Sequence, residues 1–256
     1  MLALGLGRFV VLRNVTSFRR GWAVFLSGFF EPVFYLFSIG VGLGVLVKTV
    51  TMDSGTVVPY ADFVAPAMLA TSAMNGAITD VTFNVYFKLR HARLYDTMLA
   101  TPASPRDIAA GEVTWALIRG GVYAAGFLLV ALAMGFVHSW WALLAVPGAL
   151  VIGAAFAGLG MWATTYMTSW QAFEFVFLVI QPLFLFSATF FPLSTYPAAL
   201  RWVVHVSPLY HGVVLERSLF LGEMSWSLAG SVGYLVVLGG LGLWGAGRRI
   251  GSLLLT

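Results

Sequence analysis

Apolar residues run through this chain in six blocks, 22–47, 60–86, 112–137, 142–166, 172–191 and 227–247, with the polar residues gathered between them. A helix rises about 1.5 Å per residue, so blocks of this length reach across a hydrocarbon core of about 30 Å. The pattern predicts an all-α integral membrane protein with about six transmembrane helices in a single domain over residues 1–256. Ahead of the first block, residues 1–21 place Leu4, Val11, Val15 and Phe18 on one side and Arg8, Arg13, Ser17 and Arg20 away from it. That segregation predicts an amphipathic helix lying in the interface. In the first block Glu31-Pro32 predicts a kink, and Gly40, Gly42 and Gly44 allow a close helix crossing. Residues 48–59 read as a short polar loop.

Residues 87–111 form the long basic interruption in the first two-thirds of the chain. From Lys88 to Ala100 nothing breaks a helix, and Phe87, His91, Leu94 and Met98 share one side of it. Thr101-Pro102 stops that helix, because proline disfavours the α conformation in the residue before it. Ser104 then fits an N-cap, Pro105 the first helical position and Asp107 the acid of a capping box. Two readings of this hairpin stand: a grip for a partner, or a solvated loop on lipid headgroups.

The second long non-spanning region, 192–226, holds two short segments opened by Pro197 and Pro208. Neither is long enough to cross, so both are expected to be interfacial or re-entrant on the extracytoplasmic side. Orientation follows from the cations: ten (Arg8, Arg13, Arg19, Arg20, Lys88, Arg90, Arg93, Arg106, Arg248, Arg249) face three (Lys48, Arg201, Arg217). The excess puts both termini and the hairpin in the cytoplasm.

Within the second block Thr71, Asn75, Thr79 and Thr82 recur at helical spacing as a polar stripe. Such a stripe either glues helices together or lines a polar path. In the fifth block Phe177 and Phe184 share a face with Gln181, which suits a greasy cavity with one polar handle or simply lipid. Asp80 and Arg119 sit at matching depths, about two turns from the hairpin, and form a candidate ion pair. Glu174 competes for the same arginine, and snorkelling to water is the alternative for each.

Composition narrows the chemistry. With 60% hydrophobic and 9% charged residues, the chain is far from the about 25% charged of soluble domains. Zero cysteines exclude disulfides and thiol chemistry, and four scattered histidines predict no metal site. Gly42 to Thr49 imitates a phosphate loop, but Val47 stands where its second glycine must be. No nucleotide site and no nucleic-acid partner are therefore expected in this chain, and no cleavable signal peptide is expected at its start.

Several segments, taken in order, resemble a known family: Pro32-Val-Phe-Tyr-Leu-Phe-Ser-Ile-Gly-Val-Gly-Leu-Gly44, Ala70-Thr-Ser-Ala-Met74, Met98-Leu-Ala-Thr-Pro102 with Asp107-Ile and Gly111-Glu112, and Phe186-Ser-Ala-Thr-Phe-Phe-Pro192. Together they resemble the type-2 export permeases of ABC transporters, the NodJ-like branch most closely. The resemblance implies a bacterial inner-membrane permease with residues 1–21 as a connecting helix, 87–111 as a coupling hairpin and 192–226 re-entrant. It further implies an exporter of an amphipathic cargo (lipid, lipo-oligosaccharide or drug), a second permease subunit in a homo- or heterodimer, and two copies of a separate ATPase that binds ATP and Mg. Carried over by position, Arg90, Arg93, Leu94, Met98, Thr101, Pro102 and Glu112 would couple to the ATPase. Asn75, Thr79, Phe177, Gln181 and Phe184 would flank the substrate path. A non-transporting membrane scaffold and an ion-coupled secondary transporter using Asp80 and Glu174 are the other classes in play.

Overall fold

The computed structural model of the chain describes residues 5–18, 30 and 32–254. Leu4, Arg19, Arg20, Glu31 and the first part of the first apolar block lie outside the described residues, and with them the stretch before Pro32 against which the kink expected at Glu31-Pro32 would be judged. In chain order the elements are α1 (Gly7–Phe18), α2 (Pro32–Val47), a hairpin of β1 (Thr49–Thr51) and β2 (Val57–Pro59), α3 (Tyr60–Thr79), α4 (Leu94–Leu99) and α5 (Pro105–Ala133). There follow α6 (Ala145–Thr164), entered through a 3-10 turn at Trp140–Leu144, then α7 (Ala172–Leu185), α8 (Ala198–Val206), α9 (Pro208–Leu221) and α10 (Ser227–Leu254). Among the described residues, three helices are long and apolar enough to cross a membrane: Pro105–Ala133, Trp140–Thr164 and Ser227–Leu253. Pro32–Val47 and Ala172–Leu185 are apolar but shorter. α3 continues past Thr79 in wide π turns at Asp80–Asn84 and Phe87–His91, and its polar stripe lowers its hydropathy.

Several boundaries differ from the pattern. The polar loop at 48–59 is an antiparallel hairpin, Val50 opposite Val58, entered through Lys48 at a positive φ of 57°. The phosphate-loop imitation therefore runs from a helix into a strand, the reverse of the order such a loop needs. The helix expected over 88–100 is broken. α3 ends at His91, Arg93 takes a left-handed φ of 44°, and a new helix starts at Leu94. Tertiary anchors stand on both sides of the break: Lys88 is drawn to Glu112 and His91 stacks on Phe87 and meets Trp170 before it, and Tyr95 is fully buried after it. α5 begins at Pro105, so the second half of the hairpin and the third apolar block are one helix. Ser104 caps it, its hydroxyl accepting from the Asp107 N–H at 3.2 Å while Asp107 Oδ2 accepts from the Ser104 N–H at 2.9 Å.

α6 is the packing centre, touching α3, α5, α9 and α10. It can do so because its surface is small. Gly158 meets α10 so closely that a Cβ there would lie 2.6 Å from the Gly239 carbonyl oxygen, and a Cβ on Gly242 would strike the Gly158 backbone. In lipid there is little hydrophobic drive between helices, so such backbone approach is what binds them. The lipid-ready residues stay outside: Leu129 and Leu132 on α5, Val236, Val237 and Leu241 on α10.

Gly158→Ala should therefore loosen the α6–α10 crossing and cost about 1–3 kcal/mol, the usual range for overpacking. Gly240→Ala, with nothing within 4 Å of the added methyl, should be neutral or stabilising by up to about 1 kcal/mol. Thermal midpoints of the two purified variants in one detergent check the contrast.

Candidate functional site

At the basic end of the molecule three elements meet at one carboxylate. Glu112, on the second turn of α5, is 3% exposed. Its Oε2 accepts from Lys88 Nζ at 2.6 Å, at the end of α3, and from Asn14 Nδ2 at 2.9 Å, on α1. Lys88 closes the triangle by donating to Asn14 Oδ1 at 3.0 Å. Gly111 makes the approach possible, since a Cβ there would lie 2.6 Å from Val10 Cβ and 2.7 Å from the Gly7 carbonyl oxygen. The buried side of α1 is thus Gly7, Val10 and Asn14, while Val15 is exposed and Val11 half-buried. The expected apolar side is not the one α1 turns inward, because Gly7 and Gly111 let the two backbones approach and Asn14 is held inward by Glu112 and Lys88.

α4 lies over this triangle. Tyr95 is its inward residue, 0% exposed, and burial first, then the neighbouring Glu112 carboxylate, push its phenol well above the usual range. The Tyr95 hydroxyl faces this carboxylate, and neither it nor Glu112 Oε1 has a partner besides the other. Between α1 and α4 runs an open groove of about 460 Å³, lined by Leu6, Phe9, Val10 and Arg13 on one wall and Leu94, Thr97, Met98, Thr101, Pro102 and Ala103 on the other. Four residues expected to couple, Leu94, Met98, Thr101 and Pro102, share this groove. Glu112 stands elsewhere, in the triangle. Arg93 is the exposed hinge residue, and Arg90 Nε donates to the Met167 carbonyl at 3.3 Å, tying α3 to the end of α6. Phe87 and His91 lie off the groove, so the expected four-residue face is divided by the break at Arg93. Asp107 fastens the groove's far end: the Ser104 hydroxyl, then backbone N–H groups of Ser104, Leu6 and Gly7, hold its carboxyl below the usual range.

Further along the same helices, Arg119 Nη2 lies 2.5 Å from Asp80 Oδ1, which also accepts from Asn84 Nδ2 at 2.8 Å. Arg119 adds the faces of Phe18 and Tyr123, its guanidinium carbon 5.5 and 5.9 Å from their centroids. Glu174 is exposed at the start of α7 and takes no part in this pair.

The five path residues do not converge in one chain. Thr79, Phe177 and Gln181 are exposed, and Asn75 is half-buried with Oδ1 lacking a partner. Phe184 packs against Tyr35 and Phe190, at centroid distances of 6.2 and 5.0 Å. Thr71 and Thr82 spend their hydroxyls on their own helix, at Ala67 O and Ile78 O. α3 and α7 meet through aromatic rings: Phe83 stacks 4.3 Å from Phe173 and lies 6.4 Å from Phe177, and Tyr86 meets Phe173 edge-on at 5.1 Å. A small enclosed cavity of about 20 Å³ is lined instead by residues such as Ser72, Gly76, Gly120, Tyr123 and Gly153. The sequence offered glycines there, and no periodic signal marked them as a lining. Among the described residues no group of three or more His, Asp or Glu could hold a metal ion.

These features define a polytopic α-helical membrane protein with a polar junction at its basic end. The family model for ABC-2 type transporters matches residues 7–221. The chain belongs to that family and is a transporter permease subunit. It is 34% identical over 228 residues to Nodulation protein J of Rhizobium leguminosarum bv. viciae, covering 88% of this chain and 86% of that one. Similarity extends to Nodulation protein J of Rhizobium meliloti (strain 1021), 32% over 214 residues with 82% and 79% covered. In Azorhizobium caulinodans the protein of that name is 28% identical over 206 residues, with 80% and 79% covered.

Asp80→Asn and Arg119→Gln should each cost about 3–5 kcal/mol by stranding the other charge, and the double change should cost less than their sum. A coupling of about 0.5–3 kcal/mol from thermal midpoints across the cycle is the expected result, and additive losses would remove the pair.

Proposed function

We propose that this chain is the membrane subunit of an ATP-driven exporter whose ATPase docks in the groove between α1 and α4. The observation that carries the reading is that groove: an apolar floor of Leu94, Met98 and Phe9 beside Arg13, overlying the Glu112 triangle. A partner side chain seated there would press on α4. Behind α4 the buried Tyr95 hydroxyl stands against the Glu112 carboxylate, and neither it nor Glu112 Oε1 has another partner. Movement of α4 that made or lost this contact would pass directly into α5 and α3, which Glu112 and Lys88 join. ATP and Mg belong to the partner, present in two copies. This subunit works as a homo- or heterodimer in the bacterial inner membrane with both termini cytoplasmic, where the arginines of α1 and α10 favour them.

The cargo is an amphipathic molecule, in keeping with the surface that α3 and α7 leave uncovered. Thr79, Gln181 and Phe177 supply polar and aromatic area on a single subunit, and a second subunit facing them would enclose it. Segments α8 and α9 are re-entrant in this reading and cover the outer end.

Leu94→Asp with Met98→Asp should abolish stimulation of the partner ATPase and transport while membrane insertion is kept, because docking would then have to bury two carboxylates. Co-purification and ATP hydrolysis by the reconstituted complex read this out; unchanged stimulation would sink the docking assignment. For the path, single cysteines at 75, 79, 177, 181 and 184 in this cysteine-free chain should react with a polar thiol reagent in the assembled transporter. Added cargo should protect them, whereas five unlabelled positions would return α3 and α7 to a packing role.

A further inference from the structure

α9 is mostly apolar, yet two ionisable residues stand side by side in it, Glu216 and Arg217, and both are buried. Adjacent helical residues point about 100° apart, so the two meet different surroundings. Arg217 turns to α3 and the loop after α7. Its Nε donates to the Phe63 carbonyl at 3.2 Å, its Nη2 to the Ala188 carbonyl at 3.0 Å, and its guanidinium lies 3.7 Å from the centroid of the Phe63 ring. Glu216 turns onto α6 instead, is 0% exposed, and neither carboxyl oxygen has a hydrogen-bond partner. The space it fills exists because residue 148 is glycine, where a Cβ would lie 2.7 Å from Oε1 and 3.3 Å from Leu219 Cδ1.

Among the described residues no cation offsets this carboxyl. α6 carries no titratable residue. On α3, Asp62 is taken by His138, whose own N–H donates to the Phe220 carbonyl, and Tyr60 stands at the helix start. On α10, Tyr234 donates to the Val206 carbonyl, and Arg248 and Arg249 lie at the far end. α8 contributes Arg201, which donates to Tyr196 O and Ser194 O, and His205; α7 contributes Glu174 at its far start. Within α9 itself, His211 is engaged with Ser231 and the His205 carbonyl, Tyr210 meets the His205 ring edge-on, and Arg217 points away. Burial alone acts on Glu216 and pushes its carboxyl well above the usual range. A charge so placed neutralises rather than remain unpaired.

We propose that Glu216 is a proton-binding site: its carboxyl is the neutral acid while α9 is packed on α6, and it releases that proton to water when the two helices part. The O–H bond breaks only on hydration, and the new carboxylate is then stabilised by solvent. Low pH therefore favours the packed arrangement and rising pH favours separation. In linkage form, the native group binds its proton more tightly than the unfolded one. The stability it contributes is complete below the ordinary glutamate range and is lost as pH climbs through the raised value. This holds whatever the cargo is, and separates the proposal from the docking groove, which lies with α1 and α4.

The test uses the full chain in lipid nanodiscs, wild type beside Glu216→Gln, from about pH 5 to about pH 8. The wild-type thermal midpoint should fall relative to the variant as pH rises, its unfolding constant gaining up to about tenfold per pH unit. A gap between the two that is the same at every pH would overturn the proposal. Infrared spectra near neutral pH should contain a protonated-carboxyl band in the wild type that the variant lacks, and its absence from the wild type would overturn it equally. Should Glu216→Gln fail to fold, Glu216→Met, apolar and similar in length, takes its place in both measurements.

Discussion

A carboxylate that is almost wholly shielded from water must be paired, and Glu112 meets that requirement with groups from two other elements. The ammonium of Lys88 fixes where α3 ends, and the amide of Asn14 fixes how α1 lies across α5. Neither contact would form without Gly7 and Gly111, whose missing side chains let the two helix backbones approach. The orientation of α1 therefore follows from one charge and two glycines rather than from its own amphipathic pattern. Because α4 starts directly after the end of α3, the same charge also determines where α4 lies. The groove between α1 and α4 is a consequence of the triangle beneath it.

Elsewhere the spans are held by shape. α6 is crossed closely by α10 at Gly158, Gly239 and Gly242, and it admits α9 at Gly148 and α3 at Gly160. At these glycine crossings specificity comes from where backbone can reach backbone, while Ile152, Phe156 and Met161 fill the rest of the buried side of α6. Bulk at those positions would push α9 and α10 outward together, since both lean on the same helix.

Much of this arrangement was legible in the sequence, and the unreadable parts have a common cause. The Ser104 cap and the matching depth of Asp80 and Arg119 are local or nearly local signals, and each corresponds to a feature of the structure; of the six apolar blocks, three correspond to described helices long and apolar enough to cross a membrane. The inward face of α1 was not readable, because it is set by the glycine contact with α5 and by the hold of Glu112 and Lys88 on Asn14, partners that the pattern of α1 itself does not show. The break at Arg93 was hidden as well. Nothing in Lys88 to Ala100 disfavours a helix, and tertiary anchors stand on either side of the interruption. Of the expected coupling residues, those on α4 gather in the groove and Arg90 does not, since a positive charge in a basic run reads the same whether it faces a partner or a neighbouring loop. The five path residues rest on helical spacing alone, which reports a shared face but not what that face meets.

The two ends of the molecule differ in how their polar groups are satisfied, and that difference bears on which end can move. At the end capped by α8 and α9, Asp53 accepts from the N–H groups of Leu193 and Ser194, Arg201 and Arg217 each donate to two carbonyls, and Tyr196 donates to the Leu185 carbonyl. These are mostly bonds to backbone, which fix a loop in one shape, including the left-handed Ala188 with its φ of 54°. At the opposite, basic end the bonds around Glu112 join side chains on separate helices, and the buried Tyr95 hydroxyl is set against the same carboxylate. Side-chain bonds between helices can exchange partners without unfolding either helix, whereas backbone bonds within a loop cannot be surrendered singly at low cost. A push applied at α4 would thus be taken up first among the helix ends and transmitted along α3 and α5 as rigid bodies. The cap of α8 and α9 would yield only when α9 loses its seat against α6.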